Sequence, residues 1–366
     1  MAPAAPQALS IPTYVNSANS SAVPVSGTAE AGGTVTVTDA GAVHTVSGTA
    51  TASGTGAWSL NLNLGTLNDG KASYAVTVKD AAGNSSSTAT VTDTKDTAAP
   101  VLSITAPMYV NLSNYIAVPV SGTTDTSGTL SITARSGLTS MATKQIAVSG
   151  PTWSTSIDLT PLDQGSVTFT VSLTDAAGNT GTASAASSTT KDTERPTVAG
   201  IVLANGGTQG TADAGDTLTI LYSEPLDPAK ICSTWTSKGM QTLSGNNDVT
   251  VTFNHTSSAN TMTVASKTCT LNIGTMSLAA NANYASTTSP VVFVGANASL
   301  SSVSWDPDAS SLTIRLGGTK NNTGAQGTGI GQNVPSYTPI SSLADVAGNS
   351  FASPITTFNS SPASGF

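Results

Sequence analysis

The feature that most constrains this chain is a repeat at a fixed spacing. YVN occurs at 14–16 and at 109–111, and AVPVSGT at 22–28 and at 117–123. Trp58 in WSLNLNLGTLNDG matches Trp153 in WSTSIDLTPLDQG, and Tyr74 matches Phe169. The DAAGN that begins at Asp80 matches the one that begins at Asp175. Every pair is separated by 95 positions. A constant offset across a whole unit means two tandem copies of one domain. KDTAAP and KDTERP fall where linkers belong, and their prolines end strand pairing and favour an extended path. The predicted domains are 7–97, 98–195 and a larger third one, 196–366.

Each copy reads as strands. Trp58, Leu60, Leu62 and Leu64 alternate with Ser59, Asn61 and Asn63, and Val167, Phe169, Val171 and Leu173 alternate with Thr168, Thr170 and Ser172. Period two with apolar residues on one side is the mark of a half-buried strand. Runs of this kind, with Gly and Asn turns between them, fill a unit the size of an Ig-like sandwich. Trp58 and Trp153 are expected in the core. The third region opens with DTLTILYSEPLDPAKI at 216–231 and closes with DVAGNSFASPITTF at 345–358, as the two ends of one larger sandwich with an insertion. Its stretch GGTKNNTGAQGTGIGQN at 317–333 reads as a long exposed loop. The expected fold is all-β: tandem Ig-like β-sandwiches in an elongated array, the third larger.

Composition agrees. Only 9% of the 366 residues are charged, the net charge is −8, and Glu30, Glu194 and Glu224 are the only glutamates. Thr, Ser, Val, Gly and Asn favour strands and turns. So few cations cannot neutralise phosphates, which argues against a nucleic-acid partner. The most apolar run, PVVFVGANA at 290–298, is far too short to span a bilayer, so no membrane insertion is expected. MAPAAPQALS has neither a basic start nor an apolar core and is not a signal peptide. Either a leader has been removed or the chain is a stretch of a longer one.

Cys232 and Cys269 are the only cysteines. With no CxxC and no histidine companion, zinc is not expected. A disulfide is the simpler reading, with two buried thiols as the alternative. It would contribute about 3–4 kcal/mol by closing its loop and would imply an oxidising, extracellular setting.

The acids raise the functional question. DAAGN stands at 80–84 and 175–179, and DVAGN at 345–349. Turn capping by the aspartate, with glycine at positive φ, accounts for one such turn. It does not account for the linker acids Asp96 and Asp192. In a seven-stranded sandwich the hairpin before the last strand and the second-to-third loop both lie at the pole that receives the incoming linker. That loop carries Glu30, Asp125 and Glu224 in turn. Asp96, Asp125 and Asp175 with Asn179 are therefore expected to converge at the first junction, and Asp192, Glu224 and Asp345 with Asn349 at the second. Crowded carboxylates need a proton or a cation, and an all-oxygen set suits calcium, which would fix the angle between neighbouring domains and stiffen a rod. Glu30, Asp80 and Asn84 in the first domain lack a linker aspartate before them, so a site there is expected to be weak or empty.

The order SGTAEAGGTVTVT, GAWSLNLNL, DAAGN, KDTAAP resembles the bacterial Ig-like repeats of biofilm-associated and type-I-secreted adhesins, over about residues 7–195. LYSEPLDPAKI and DVAGNSFASP resemble the ends of an Ig-like module of S-layer proteins. The resemblance implies extracellular display on a bacterial surface, tandem arrays and calcium between domains. The insertion and the cysteine pair depart from its pattern.

No enzyme is expected. His44 and His255 are the only histidines, and neither accompanies a nucleophile elbow, a cysteine nucleophile or a zinc spacing. The expected partners are neighbouring Ig-like domains or copies of the chain itself, in a stalk, a surface layer or a fibre. The alternative is a binding module in which the third domain recognises a host or matrix glycan or protein. For that alternative Trp235, in WTSKGM, would be exposed, whereas otherwise Trp235 and Trp305 pack in a core.

Overall fold

The structure is a computed structural model that describes residues 1–40, 44–183, 186–255, 260–278, 284–285, 289–297, 299–321, 335–352, 357–359 and 366. Among the described residues it is all-β apart from one helical turn, Pro228–Ile231. The chain divides into two compact units, residues Met1–Met108 with Ile116–Thr189, and Tyr109–Tyr115 with Thr190–Phe366.

The first repeat contains β1 (Gln7–Ser10), β2 (Tyr14–Val15), β3 (Val23–Thr28), β4 (Thr34–Ala40), β5 (Thr45–Thr51), β6 (Ala57–Leu62), β7 (Gly70–Lys79) and β8 (Ala89–Lys95). One sheet runs β1-β3-β6 and the other β2-β8-β7-β4-β5. All pairings are antiparallel except β2 with β8. The inner faces bury Val23, Val25, Val35, Val37, Trp58, Leu62, Tyr74, Val76 and Val78. Leu60 is only half-buried, so the β6 alternation is looser than its letters suggest.

The second repeat contains β9 (Tyr109–Val110), β10 (Val118–Thr123), β11 (Gly128–Ser136), β12 (Ser140–Val148), β13 (Thr152–Ile157), β14 (Gly165–Thr174), β15 (Thr180–Thr182) and β16 (Ser187–Lys191). β10 pairs with β13, and the other sheet runs β12-β11-β14-β16 with β15 on β14. The registers match those of the first copy: Gly27 faces Trp58 and Gly122 faces Trp153. A Cβ at Gly27 would meet the Gln7 carbonyl oxygen at 2.9 Å and the Trp58 ring at 3.0 Å, and one at Gly122 the Trp153 ring at 2.7 Å and, closer still, the Ser103 carbonyl oxygen, so both copies need glycine there. Both tryptophans are buried, as the alternation predicts. β9 pairs in parallel with the end of β16, Thr190 facing Tyr109 and Lys191 facing Val110. Between DAAGN and KDT the second copy carries one extra residue, so Asp96 and Asp192 are 96 apart.

The third region holds two sheets. One orders Val198–Ala204, Thr217–Tyr222, Ser311–Arg315, Ser302–Asp306 and Gln241–Leu243. The other orders Thr319–Asn321, Val291–Phe293, Val249–His255, Asn260–Ser266, Thr275–Ser277, Ser336–Thr338 and Phe358–Asn359. Their shared core includes Trp235 and Trp305, 4% and 0% exposed, so neither offers a face to a sugar. Cys232 and Cys269 are joined in a disulfide, with Cα atoms 5.8 Å apart. Of the loop expected at 317–333, residues 322–333 lie outside the described residues. His255 pairs with Asn260 at the end of its hairpin, and His44 is exposed. Among the described residues no helix is long and apolar enough to cross a membrane.

Candidate metal centre

The three acidic turns share one construction. In the first, Asp80 N–H donates to the Asn84 carbonyl at 3.0 Å, and Asn84 N–H and Nδ2 each donate to an Asp80 carboxylate oxygen at 2.8 Å. Asp175 and Asn179 repeat this at 2.9 and 3.1 Å, and Asp345 and Asn349 at 2.9 Å for both side-chain bonds. The glycines sit at φ +92°, +92° and +95°, a conformation that favours glycine. Hydrogen bonds from the Asn84 side chain and backbone hold the Asp80 carboxyl below its usual range.

The turns differ in what covers them. Asn84 is exposed, whereas Asn179 and Asn349 are buried. At the first junction Asn16 Nδ2 donates to the Ala177 carbonyl at 2.7 Å, and Ser17 N–H donates to Asn179 Oδ1 at 3.0 Å. Asn179 Nδ2 then donates to the Asp96 carbonyl at 2.8 Å. At the second junction Asn111 Nδ2 donates to Ala347 O at 2.6 Å, and Leu112 N–H to Asn349 Oδ1 at 2.9 Å. Asn349 Nδ2 donates to Asp192 O at 2.9 Å. The linker is held on its other edge as well, by Asp96 N–H to Val15 O and Asp192 N–H to Val110 O, both at 2.8 Å. Buried amides satisfied on both sides form a specific clamp, because leaving any member unpaired is costly. The signal for Asn16 and Asn111 was the doubled YVN, which reads as a repeat landmark and carries no acid to suggest a site.

The ligand roles expected of Asn179 and Asn349 compete with these hydrogen bonds. Their amide oxygens accept backbone N–H groups and their amide nitrogens bind the linker, so they work as clamps.

Among the described residues, one group of three carboxylates brings its oxygens within 4.8 Å of one another: Asp192, Glu224 and Asp345. Asp345 is 1% exposed and the other two are half-buried. Burial first, and then the charges of Asp192, Asp345 and Glu194, push the Glu224 carboxyl up to about 7. Burial, then Asp345 and Glu194, raise Asp192, while Glu194 N–H and a hydrogen bond with Glu224 offset part of the rise. Glu224 protonated against an ionised Asp192 relieves part of the crowding. Every charged neighbour that acts on Glu224 is an acid. Arg195 Nη1, close by in sequence, donates to the carbonyl of Ser350 at 2.6 Å.

Among the described residues, Asp96, Asp125 and Asp175 do not form such a group. The cause lies in one backbone N–H. At the first junction Val101 N–H donates to Asp125 Oδ1 at 2.9 Å, and Asp125 N–H returns to Val101 O at 3.2 Å. At the second junction Thr197 N–H donates to Ser223 Oγ at 2.9 Å, and Ser223 N–H returns to Thr197 O at 3.0 Å. The counterpart of Asp125 is therefore Ser223, not Glu224. Glu224 stands one residue later, where the second repeat has Thr126. Asp96 accepts from Ala98 N–H at 3.2 Å, and Glu30 is exposed.

Three carboxylates with oxygens this close, and no nitrogen or sulfur donor, fit a hard divalent cation.

Residues 2–95 match the bacterial Ig domain family. A search of curated proteins found no match. Among solved structures, a tetra-tandem repeat from the extending region of a large adhesion protein is 16% identical, covering 96% of this chain and 72% of that one, with a TM-score of 0.28. A Ca2+-stabilized adhesin that helps an Antarctic bacterium reach out and bind ice is 19% identical, covering 98% and 74%, with a TM-score of 0.37. A 1.5-MDa bacterial ice-binding adhesin is 16% identical, covering 95% and 92%, with a TM-score of 0.33.

Proposed function

We propose that this chain is a non-catalytic, structural stretch of a bacterial surface protein of the adhesin type, displayed outside the cell. Its Ig-like domains are locked in series by asparagine clamps, and a calcium ion at the second junction tightens the lock. The observation that carries this reading is the clamp itself. The same three hydrogen bonds join an Asn turn, a linker carbonyl and an acidic glycine turn at both junctions. A chain that only needed flexible spacing would not bury its linker contacts twice in one geometry. The disulfide suits an oxidising setting. Asp192, Glu224 and Asp345 would hold the ion, which would supply the positive charge that their neighbours do not and fasten the linker to the DVAGN turn. On this reading the chain serves as the stalk of an adhesin or as part of a biofilm, surface-layer or fibre assembly.

The test is thermal unfolding in calcium at about 0.1–1 mM and above, in EDTA, and in magnesium. A calcium-specific rise that Asp345→Asn abolishes supports the centre. Identical melting in all three buffers removes the ion. If Asn179→Ala and Asn349→Ala also leave stability unchanged, the clamp reading falls with it.

A further inference from the structure

The interiors of the two repeats differ at three linked positions. In the first repeat Asp39 on β4 lies opposite Tyr74 on β7, and Asp93 on β8 lies opposite Ala72. All three side chains are buried, at 1%, 0% and 6% exposure for Asp39, Tyr74 and Asp93. In the second repeat Ala134 lies opposite Phe169. Thr189 takes the place of Asp93, because Lys95 and Lys191 hold the same register against β2 and β9. One copy thus buries two carboxyl groups and a phenol where the other buries a methyl, a phenyl ring and a threonine.

The polar set is only partly satisfied. The Tyr74 hydroxyl donates to Asp93 Oδ2 at 2.7 Å, and Ser73 N–H donates to Asp39 Oδ1 at 3.3 Å. Asp39 Oδ2 and Asp93 Oδ1 are buried with no hydrogen-bond partner. The nearest lysine on the same strand, Lys95, is committed to Asp69 at 2.7 Å. His44, just before β5, is exposed. The groups that face the pair from the packed strands are therefore each other and Tyr74. An ionised carboxylate buried without a cation or a full set of donors is costly, and a proton is the smallest remedy.

We propose that the first repeat carries a proton-linked stability switch in its interior, in which the Asp39–Asp93 pair takes up a proton on folding and the repeat loosens when that proton is lost as pH rises. Burial is the largest cause raising both carboxyls above 3.8, and the charge of Asp39 raises Asp93 further. The native state therefore binds more protons than the unfolded chain, and its stability falls as pH rises above the ordinary carboxylate range. Below that range both states are protonated and the penalty vanishes. The second repeat, with Ala134, Phe169 and Thr189, has no such pair.

Hydrogen exchange on the whole chain, resolved by peptide and corrected for the intrinsic pH dependence of exchange, tests this. Between about pH 5 and about pH 8, protection of β7 relative to β14 is expected to fall severalfold. The triple change D39A, Y74F and D93T installs the second repeat's own residues and is expected to abolish the fall. If that variant does not fold, Asp39→Asn alone is expected to reduce it. A ratio constant with pH overturns the proposal, and so does a fall that survives both variants. Restoration of β7 protection in the unaltered chain by calcium at about pH 8 also overturns it, because the pair would then be a cation site.

Discussion

At the first junction the Val101 N–H is satisfied by Asp125, and at the second the Thr197 N–H is satisfied by Ser223. The backbone need is the same and the clamp beside it is the same. Where a serine hydroxyl meets that need, the next residue, Glu224, joins Asp192 and Asp345. Where an aspartate meets it, the acid is spent on capping and no third carboxylate follows. Counting acids near a junction therefore overstates how many can bind a cation. What matters is which acids the backbone has already claimed.

The largest effect should come from the element that the junctions share. Asn179→Ala would strip the partner from Ser17 N–H and the Asp96 carbonyl, and Asn349→Ala from Leu112 N–H and the Asp192 carbonyl. Each is expected to cost about 2–4 kcal/mol, read from urea unfolding. Asn84→Ala, in the exposed turn, is expected to cost only about 0.5 kcal/mol.

Next comes the cation. At about one hundred times its dissociation constant, calcium is expected to stabilise the folded chain by about 2.7 kcal/mol. Glu224→Gln should sharply weaken this, and Asp125→Ala should leave it intact. A calcium response unchanged by Glu224→Gln would break the comparison between the junctions.

A smaller effect concerns pH. In EDTA, Glu224 at about 7 binds a proton that the unfolded chain, at 4.5, has lost between these values. Stability should therefore fall as pH rises through that window, by about 1–2 kcal/mol after solvent screening. With calcium bound the slope should flatten or reverse, because protons and the ion compete for the same oxygens. Melting curves across this range, with and without the ion, check the sign.

The smallest and most informative change transplants the difference. Asp125→Ser with Thr126→Glu should create a calcium response of about 1 kcal/mol at the first junction, detectable in a background of Asp345→Asn. No response would mean that the linker also differs in ways that the single N–H does not explain.

Much of this was legible in the letters. The 95-residue offset located both copies, and the alternation from Val167 to Leu173 identified buried β14. The alternation around Trp58 and Trp153 marks both as core residues. The candidate centre is half legible: Asp192, Glu224 and Asp345 lie together as the order of motifs predicts, but the same order predicts a group at the first junction that does not form. Asp125 and Glu224 hold similar places in the order of motifs, yet they differ by one residue in the backbone pairing. Asn16 and Asn111 were visible as repeats, but their partners lie 161 and 236 positions away in the chain. The buried acids of the first repeat escaped notice because Asp39 and Asp93 look like surface aspartates in polar strands.

By itself the order of residues determined the class of fold, the tandem copies and the acidic glycine turns. These rest on local propensity and on periods of two and 95, which are properties of the chain read along its length. Only the tertiary structure decided which asparagine clamps which turn, which acid caps a backbone N–H, and which carboxylates are left to meet. Those outcomes depend on donors and acceptors brought within about 3 Å across loops distant in sequence, and hydrogen bonding is too short-ranged for spacing along the chain to encode it.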